Sequence, residues 1–325
     1  MALLEVRDLT VEYHTEDGVF CAVENLNLDL DQGKSLGIVG ESGCGKTTAM
    51  LAVMRLLPEA GRIVSGTVLL DGVDLLQLPL AELREYRWNQ ISMIFQGAMN
   101  ALNPVRTVGS QIEEVLLLHD TVPRGKATEE VKRLLDLVGV SASRSDEYPH
   151  EYSGGMRQRA VIAMALACQP QVIIADEPTT ALDVMVQAQI LDLLQELQRE
   201  LDLSIIMVTH DLGVVAELCD DVLVMYGGRM AEWADIDRIY NHAVHPYTRR
   251  LLLAFPDIDD PRATLASIPG HPPPLDNLPP GCRFEPRCRV SVGRCSRDMP
   301  ETIEVAPGHL VACLLAEGEE GRHAG

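Results

Sequence analysis

The feature that most constrains this chain is the run Gly40-Glu41-Ser42-Gly43-Cys44-Gly45-Lys46-Thr47, which fits the pattern G-x-x-x-x-G-K-[ST]. Before it, Ser35 to Val39 reads as a buried strand; after it, Thr48 to Leu57 reads as a helix. In that setting the glycines let backbone N–H groups curl around a β-phosphate. Lys46 then neutralises charge at the β and γ positions, and the Thr47 hydroxyl can ligate magnesium. A Gly-rich turn without a ligand is the plain alternative, and the flanking strand and helix argue against it. Such a loop needs a sheet to stand on, and Val172 to Ala175, Ser204 to Val208 and Asp221 to Tyr226 read as further strands. Between the first and second of these, Ile190, Leu193, Leu194, Leu197 and Leu201 recur at helical spacing, so one face of that helix is expected to pack on the sheet. Residues 1 to about 235 therefore read as an α/β domain with a largely parallel sheet.

The strand from Val172 runs into two carboxylates, Asp176 and Glu177. Downstream of a phosphate loop, Asp176 is placed to hold the magnesium shell and Glu177 to polarise an attacking water. From about Phe95 to Pro170 strand signals vanish, and Thr128 to Val138 carries Val131, Leu134, Leu135 and Val138 on one face, which reads as a helical insertion. After about residue 236 the composition shifts toward Pro, Arg and Cys. Pro269, Pro272, Pro273, Pro274, Pro279 and Pro280 mark a stiff, linker-like stretch before a small C-terminal module.

That module holds Cys282, Cys288, Cys295 and Cys313. It is too small to bury much core, and four thiolates there could supply folding energy by clamping a metal. The spacing is not the C-x₂-C pair of a zinc ribbon. A [4Fe–4S] cluster, structural zinc and free or partly oxidised thiols all remain open. Cys21, Cys44, Cys168 and Cys219 are scattered and read as small core residues.

A net charge of −21 and 4% aromatic residues argue against a nucleic-acid partner. The longest apolar runs, such as Ala160 to Cys168, fall short of the roughly 20 residues that span a bilayer, and the N-terminus lacks the pattern of a secretion signal. A cytosolic location is expected, with any membrane role exercised through other chains.

Tyr152-Ser153-Gly154-Gly155-Met156-Arg157-Gln158 decides among phosphate-loop proteins. Two glycines opening a helix beside a serine offer N–H groups and a hydroxyl to a phosphate, and a second phosphate site on one chain implies a second nucleotide. An ordinary serine-capped helix is the plain reading of that segment alone.

Taken together, these residues resemble the nucleotide-binding subunits of ABC transporters. Gly40 to Thr48 resembles the Walker A loop, Gln96 the Q-loop, Ser153 to Gln158 the signature, Asp176-Glu177 Walker B, Ala181-Leu182-Asp183 the D-loop and His210 the switch histidine, in the family's order. The resemblance implies a P-loop NTPase (RecA-like) core with an antiparallel β subdomain, an inserted α-helical signature subdomain at about 97–170, and a small cysteine-containing C-terminal extension over 236–325. It implies ATP bound by Gly40, Ser42, Gly43, Cys44, Gly45, Lys46, Thr47 and Thr48, with Tyr13 stacked on adenine. Ser153, Gly154, Gly155 and Met156 would close over ATP held by a second subunit. Magnesium would be held by Thr47, Gln96 and Asp176, and catalysis would involve Glu177, His210, Gln96 and Asp183. Two departures stand out: Met156 replaces the usual Gln, and Gly97-Ala98 follows Gln96 where an acidic residue and Pro are common.

His245-Pro246-Tyr247-Thr248-Arg249-Arg250-Leu251-Leu252 and Gly281-Cys282-Arg283-Phe284-Glu285-Pro286-Arg287-Cys288 resemble the tail of the oligopeptide and dipeptide importer branch. Gly37 to Gly43 and Ala101-Leu102-Asn103-Pro104 agree with that branch. The branch implies a [4Fe–4S] cluster on Cys282, Cys288, Cys295 and Cys313. It also implies two transmembrane permease subunits, a second homologous ATPase subunit in a heterodimer, an extracytoplasmic solute-binding protein, and a peripheral place on the cytoplasmic face of the inner membrane. Importers of nickel, glutathione and oligosaccharides share this tail; a soluble ABC protein would instead need two cassettes or a long coiled-coil insertion.

Overall fold

A computed structural model describes residues 2–97, 101–180, 182–254 and 268–318. The chain divides into two compact units. One is made of Met1–Leu30, Ser35–Leu76 and Val208–Gly325, and the other of Asp31–Lys34 and Gln77–Met207.

The first unit begins with β1 (Leu4–Thr15) and β2 (Gly18–Leu30), followed by β3 (Ser35–Val39), α1 (Lys46–Val53), β4 (Gly61–Leu70) and β5 (Val73–Asp74). Strands β2, β1, β4 and β5 form an antiparallel sheet in that order. In β1, Leu4, Val6, Leu9 and Val11 are all fully buried although the spacing jumps by three between Val6 and Leu9. Asp8, in the left-handed region at φ 49°, lies where the pairing register shifts, and the extra residue brings the apolar positions back to one face. Helix α1 starts two residues before the expected Thr48 and stops at Val53, short of Leu57, because Arg55 turns left-handed (φ 51°) and breaks the ladder.

The second unit contains α2 (Leu80–Asn89), β6 (Ile91–Ile94), α3 (Val108–Leu118), α4 (Ala127–Leu137), α5 (Gly154–Ala165), β7 (Val172–Asp176) and α6 (Val184–Leu201). Strands β6 and β7 run parallel, Ile91 opposite Val172 and Ile94 opposite Ala175. Both are buried along their whole length, as expected of strands covered on two faces. Between them only helices and short turns occur among the described residues, in agreement with the helical insertion. Helix α4 buries Val131, Leu134 and Leu135, with Val138 buried at its C-cap. Helix α6 buries Ile190, Leu193, Leu194 and Leu197, but Leu201 is 46% exposed, because the helix ends there against left-handed Asp202.

Strand β8 (Ser204–Thr209) leads back to the first unit. There α7 (Leu212–Leu218), β9 (Asp221–Tyr226), β10 (Arg229–Asp235), α8 (Ile236–His242), α9 (Pro246–Leu253), β11 (Ile303–Ala306) and β12 (His309–Val311) complete the chain. Strand β9 lies parallel to β3, Leu36 opposite Asp221 and Val39 opposite Val224, while β10 returns antiparallel to β9. The tail is joined to β10 by β12, which pairs Val311 with Glu232, and β11 continues this antiparallel ribbon. A small core of Val311, Cys313 and Ala316 collects Val244, Ile303, Val305 and Leu315. Glu232 is completely buried. It accepts the Val244 N–H at 2.7 Å and the His245 N–H at 3.1 Å, and it pairs with His309 Nε2 at 2.7 Å. Burial alone would raise this carboxyl, but the bond from His309 and the Val244 amide outweigh it and hold it below the ordinary range.

Candidate active site

The loop after β3 is shaped by close backbone approach. A Cβ on Gly40 would stand 2.3 Å from the Met225 carbonyl oxygen, and one on Gly45 would stand 2.5 Å from that of Ala22, so only glycine fits at either position. Gly43 has open space around it but lies at φ 79°, a region a side chain resists. No side chain caps the start of α1 and no acidic residue stands in its first turn, which leaves the positive end of the helix to an anion. Lys46 is buried at 6% exposure, with Nζ donating to the Gly40 carbonyl at 2.6 Å and the Glu41 carbonyl at 3.1 Å. A buried ammonium, an uncapped helix start and left-handed glycines suit a nucleoside triphosphate and its magnesium. Tyr13, half-buried on β1, brings its hydroxyl to 3.4 Å from Thr48 Oγ1. Cys44 turns inward among the core and its thiol is raised chiefly by burial, so it takes part in the cradle through its backbone.

Glu41 is the least expected residue of the loop. Its N–H donates to the Tyr247 hydroxyl at 2.9 Å, its carboxylate receives both Nη atoms of Arg287 at 2.5 and 3.0 Å, and its carbonyl accepts from Lys46. Tyr247 is fully buried and packs with Tyr226 and Phe284 at centroid distances of 4.6 and 5.3 Å. His210 follows β8 in an exposed position, and Asp211 beside it caps α7 by accepting the Gly213 N–H at 2.8 Å.

In the second unit, Gln96 and Glu177 meet: the Gln96 amide donates to Glu177 Oε2 at 2.9 Å, and the Thr180 hydroxyl donates to the same oxygen at 3.0 Å. Glu177 holds a left-handed backbone at φ 47°, a conformation that costs a non-glycine residue about 1–2 kcal/mol. Asp176, next to it at the end of β7, is buried at 1% exposure. Ser153 is exposed and caps α5, its Oγ accepting the Met156 N–H at 3.3 Å while its own O–H proton stays available. Asp183 caps α6 through the Val186 N–H at 3.0 Å; Ala181 and Ala98 lie outside the described residues. Gly155 has a second reason to be glycine. A Cβ there would come within 2.7 Å of Val186 Cγ1, so the start of α5 rests directly on the start of α6. Met156, standing where Gln is usual, takes the Arg144 guanidinium at 3.5 Å from its sulfur.

The four C-terminal cysteines lie near one another. Burial pushes the Cys282 thiol up to about 11, and the charges of Cys313, Cys295 and Cys288 add to the rise. Yet among the described residues no group of three or more His, Cys, Asp or Glu side chains is arranged to hold a metal ion. That gives no support to the expected [4Fe–4S] cluster on Cys282, Cys288, Cys295 and Cys313, none of which forms a disulfide. Of the other four, Cys44, Cys168 and Cys219 are buried as expected, whereas Cys21 is only half-buried on β2. Among the described residues no helix is long and apolar enough to cross a membrane.

Residues 23–180 match the family model described as ABC transporter, and residues 231–295 match that of the oligopeptide/dipeptide transporter C-terminal region. The chain is 51% identical to the oligopeptide transport ATP-binding protein OppD of Escherichia coli (strain K12), over 96% of this chain and 93% of that protein. It is 46% identical to the dipeptide transport ATP-binding protein DppD of Bacillus subtilis (strain 168), over 99% and 97%. Among solved structures, the dimeric post-hydrolysis form of the ATP-binding cassette MJ0796 bound to ADP and Pi superposes with a TM-score of 0.64 at 26% identity, covering 72% of this chain and 98% of that one.

Proposed function

The chain belongs to the ABC transporter family, as a relative of its oligopeptide and dipeptide ATP-binding proteins, and on that premise we propose that it drives import of di- or oligopeptides. It is an ATPase of P-loop NTPase fold, hydrolysing ATP to ADP and phosphate. The observation that carries the peptide reading is a match extending past the ATPase region into the C-terminal part that marks peptide transporters.

The proposed division of labour follows the chemistry of each group. Gly40, Ser42, Gly43, Cys44, Gly45 and Thr48 wrap the phosphates with backbone N–H groups and hydroxyls, Lys46 counters their charge, and Tyr13 stacks on the base. Thr47, Gln96 and Asp176 are the proposed magnesium ligands; magnesium supplies neutralisation of charge developing on the phosphates. Glu177 orients and deprotonates the attacking water, with Gln96 fixing its carboxylate as supporting geometry. His210 contacts the γ-phosphate, and Asp183 sets the start of α6. Ser153, Gly154, Gly155 and Met156 close over the nucleotide of a second ATPase subunit. In support, Val184 and Met185, beside that helix start, are 79% and 72% exposed and offer an apolar face for a partner to cover.

The proposed assembly has two permeases, this chain, a homologous ATPase subunit and an external solute-binding protein, with this chain peripheral on the cytoplasmic face of the inner membrane. Residues 1–235 act as the ATPase domain, with its helical subdomain at about 97–170, and 236–325 as the extension. None of the four C-terminal cysteines has a part in the proposed ATP chemistry, and the iron content of the anaerobically purified protein tests whether they hold a cluster. Deleting the gene is expected to abolish uptake of radiolabelled di- and tripeptides while sparing free amino acids, with wild-type but not Lys46→Ala restoring it; undiminished peptide uptake would overturn the assignment.

A further inference from the structure

The phosphate loop is held from a part of the chain almost 250 residues away. Arg287, with a side chain 5% exposed, grips the Glu41 carboxylate with a two-pronged fork. The rest of its guanidinium is satisfied by the Pro269 carbonyl at 2.9 Å and the Tyr226 hydroxyl at 3.1 Å. Tyr247 takes the Glu41 N–H from the same side. Nearby, Arg283 donates to the Gly227 carbonyl and to Glu24, and the adjoining Gly228 N–H donates to the Cys44 carbonyl at 2.9 Å. The module thus reaches the loop at Glu41 directly and at Cys44 through the Gly227-Gly228 turn. Every polar group of Glu41 is committed: N–H to Tyr247, carboxylate to Arg287, carbonyl to Lys46.

We propose that Arg287 and Tyr247 are positioning residues of the nucleotide site, and that the C-terminal module sets the affinity of the phosphate loop for ATP. The inference rests on reading Gly40 to Thr48 as the nucleotide cradle. A carboxylate inside a loop that receives a triphosphate is a like charge in the wrong place. Arg287 cancels that charge where it arises, and its planar fork holds the side chain in one orientation, which a lysine could not do. Tyr247 fixes the Glu41 peptide from its amide end. The Gly40 carbonyl, which shares that peptide plane and accepts from Lys46 at 2.6 Å, is thereby held in place relative to the ammonium that serves the phosphates. Neither residue touches substrate; both act through Glu41.

The test uses the full chain and a fluorescent trinitrophenyl-ATP with magnesium, alongside thermal melts without nucleotide. Arg287→Met is expected to weaken nucleotide binding by about tenfold, with a deficit that shrinks as salt is raised. Adding Glu41→Gln to that variant is expected to restore most of the affinity, because the uncovered charge is gone. Tyr247→Phe, which deletes one hydroxyl from a buried ring, is expected to weaken binding by about two- to fivefold and carries the test if Arg287→Met does not fold. A purely structural role predicts lower melting with wild-type affinity in the folded fraction and no rescue by Glu41→Gln; that result overturns the proposal. Lys46→Ala separates the two readings. If it alone abolishes binding while Arg287→Met and Tyr247→Phe bind normally, only this proposal falls, and if Lys46→Ala binds as tightly as wild type, the cradle reading falls with it.

Discussion

The phosphate-loop region and the signature region solve the same problem in opposite ways. Ser153, Asp183 and Glu177 are held by neighbours a few residues along the chain: the first two cap the helices they open, and Glu177 takes the hydroxyl of Thr180. Gln96 is the more distant exception, joining Glu177 from the turn just after β6. The loop, by contrast, is fixed by Met225, Tyr247 and Arg287, none of them near it in sequence. A locally built site tolerates change elsewhere and is sensitive to its own residues, whereas a remotely built one reports on the integrity of a distant module.

The sharpest way to press that contrast is at Glu177, the proposed base. Glu177→Gln keeps a hydrogen-bonding amide in place but removes proton acceptance, so turnover should drop by about 10²–10⁴-fold while ATP stays bound, measured as phosphate release against retained nucleotide. Normal turnover would remove Glu177 from its role.

On the remote side the lever is acid. His245 is fully enclosed, accepting the Tyr247 N–H on Nδ1 at 3.0 Å, and burial lowers its imidazole to about 4 although the neighbouring Glu232 charge pulls the other way. Unfolded, it takes a proton at about pH 6.5, so between that pH and about 4 the unfolded chain binds more protons and stability falls as the solution is acidified. The full effect is of order 3 kcal/mol. The lowered Glu232 carboxyl adds loss of the same sign further down. Melting curves across this range should slope downward with acid, and His245→Asn should flatten them; a flat wild-type profile would break the account of this tail.

The mildest test concerns Gly155. Alanine there must push Val186 aside, at about 1–3 kcal/mol, and Val186→Ala in the same chain should recover most of it in a thermal melt. No recovery would mean that the glycine serves the helix start alone.

Local pattern carried most of what was legible. The phosphate loop, the strand ending in Asp176 and Glu177, and the strands Ser35–Val39 and Asp221–Tyr226 follow from runs of a few residues, and all stand where the pattern puts them. Strand β1 was harder to see because the irregularity at Asp8 shifts its alternation by one, a departure that period-two reading counts as noise. Gly155 reads from the sequence only as a phosphate contact, because its second constraint, Val186, comes from another helix. Glu41 was an unassigned position of the loop pattern, and the one cue to its importance was the arginine beside each of Cys282 and Cys288, which the cysteines themselves drew attention away from. Those cysteines do converge, but spacing says nothing about whether four sulfurs point at one centre.

The ion pair between Glu41 and Arg287 also orders events during synthesis. The loop leaves the ribosome early, yet its Glu41 anchor is translated only after most of the polypeptide has been made. A nascent or prematurely terminated product ending before residue 287 carries the nucleotide motif without this ion pair, and if Arg287 positions the loop, such fragments should bind ATP more weakly than the finished chain.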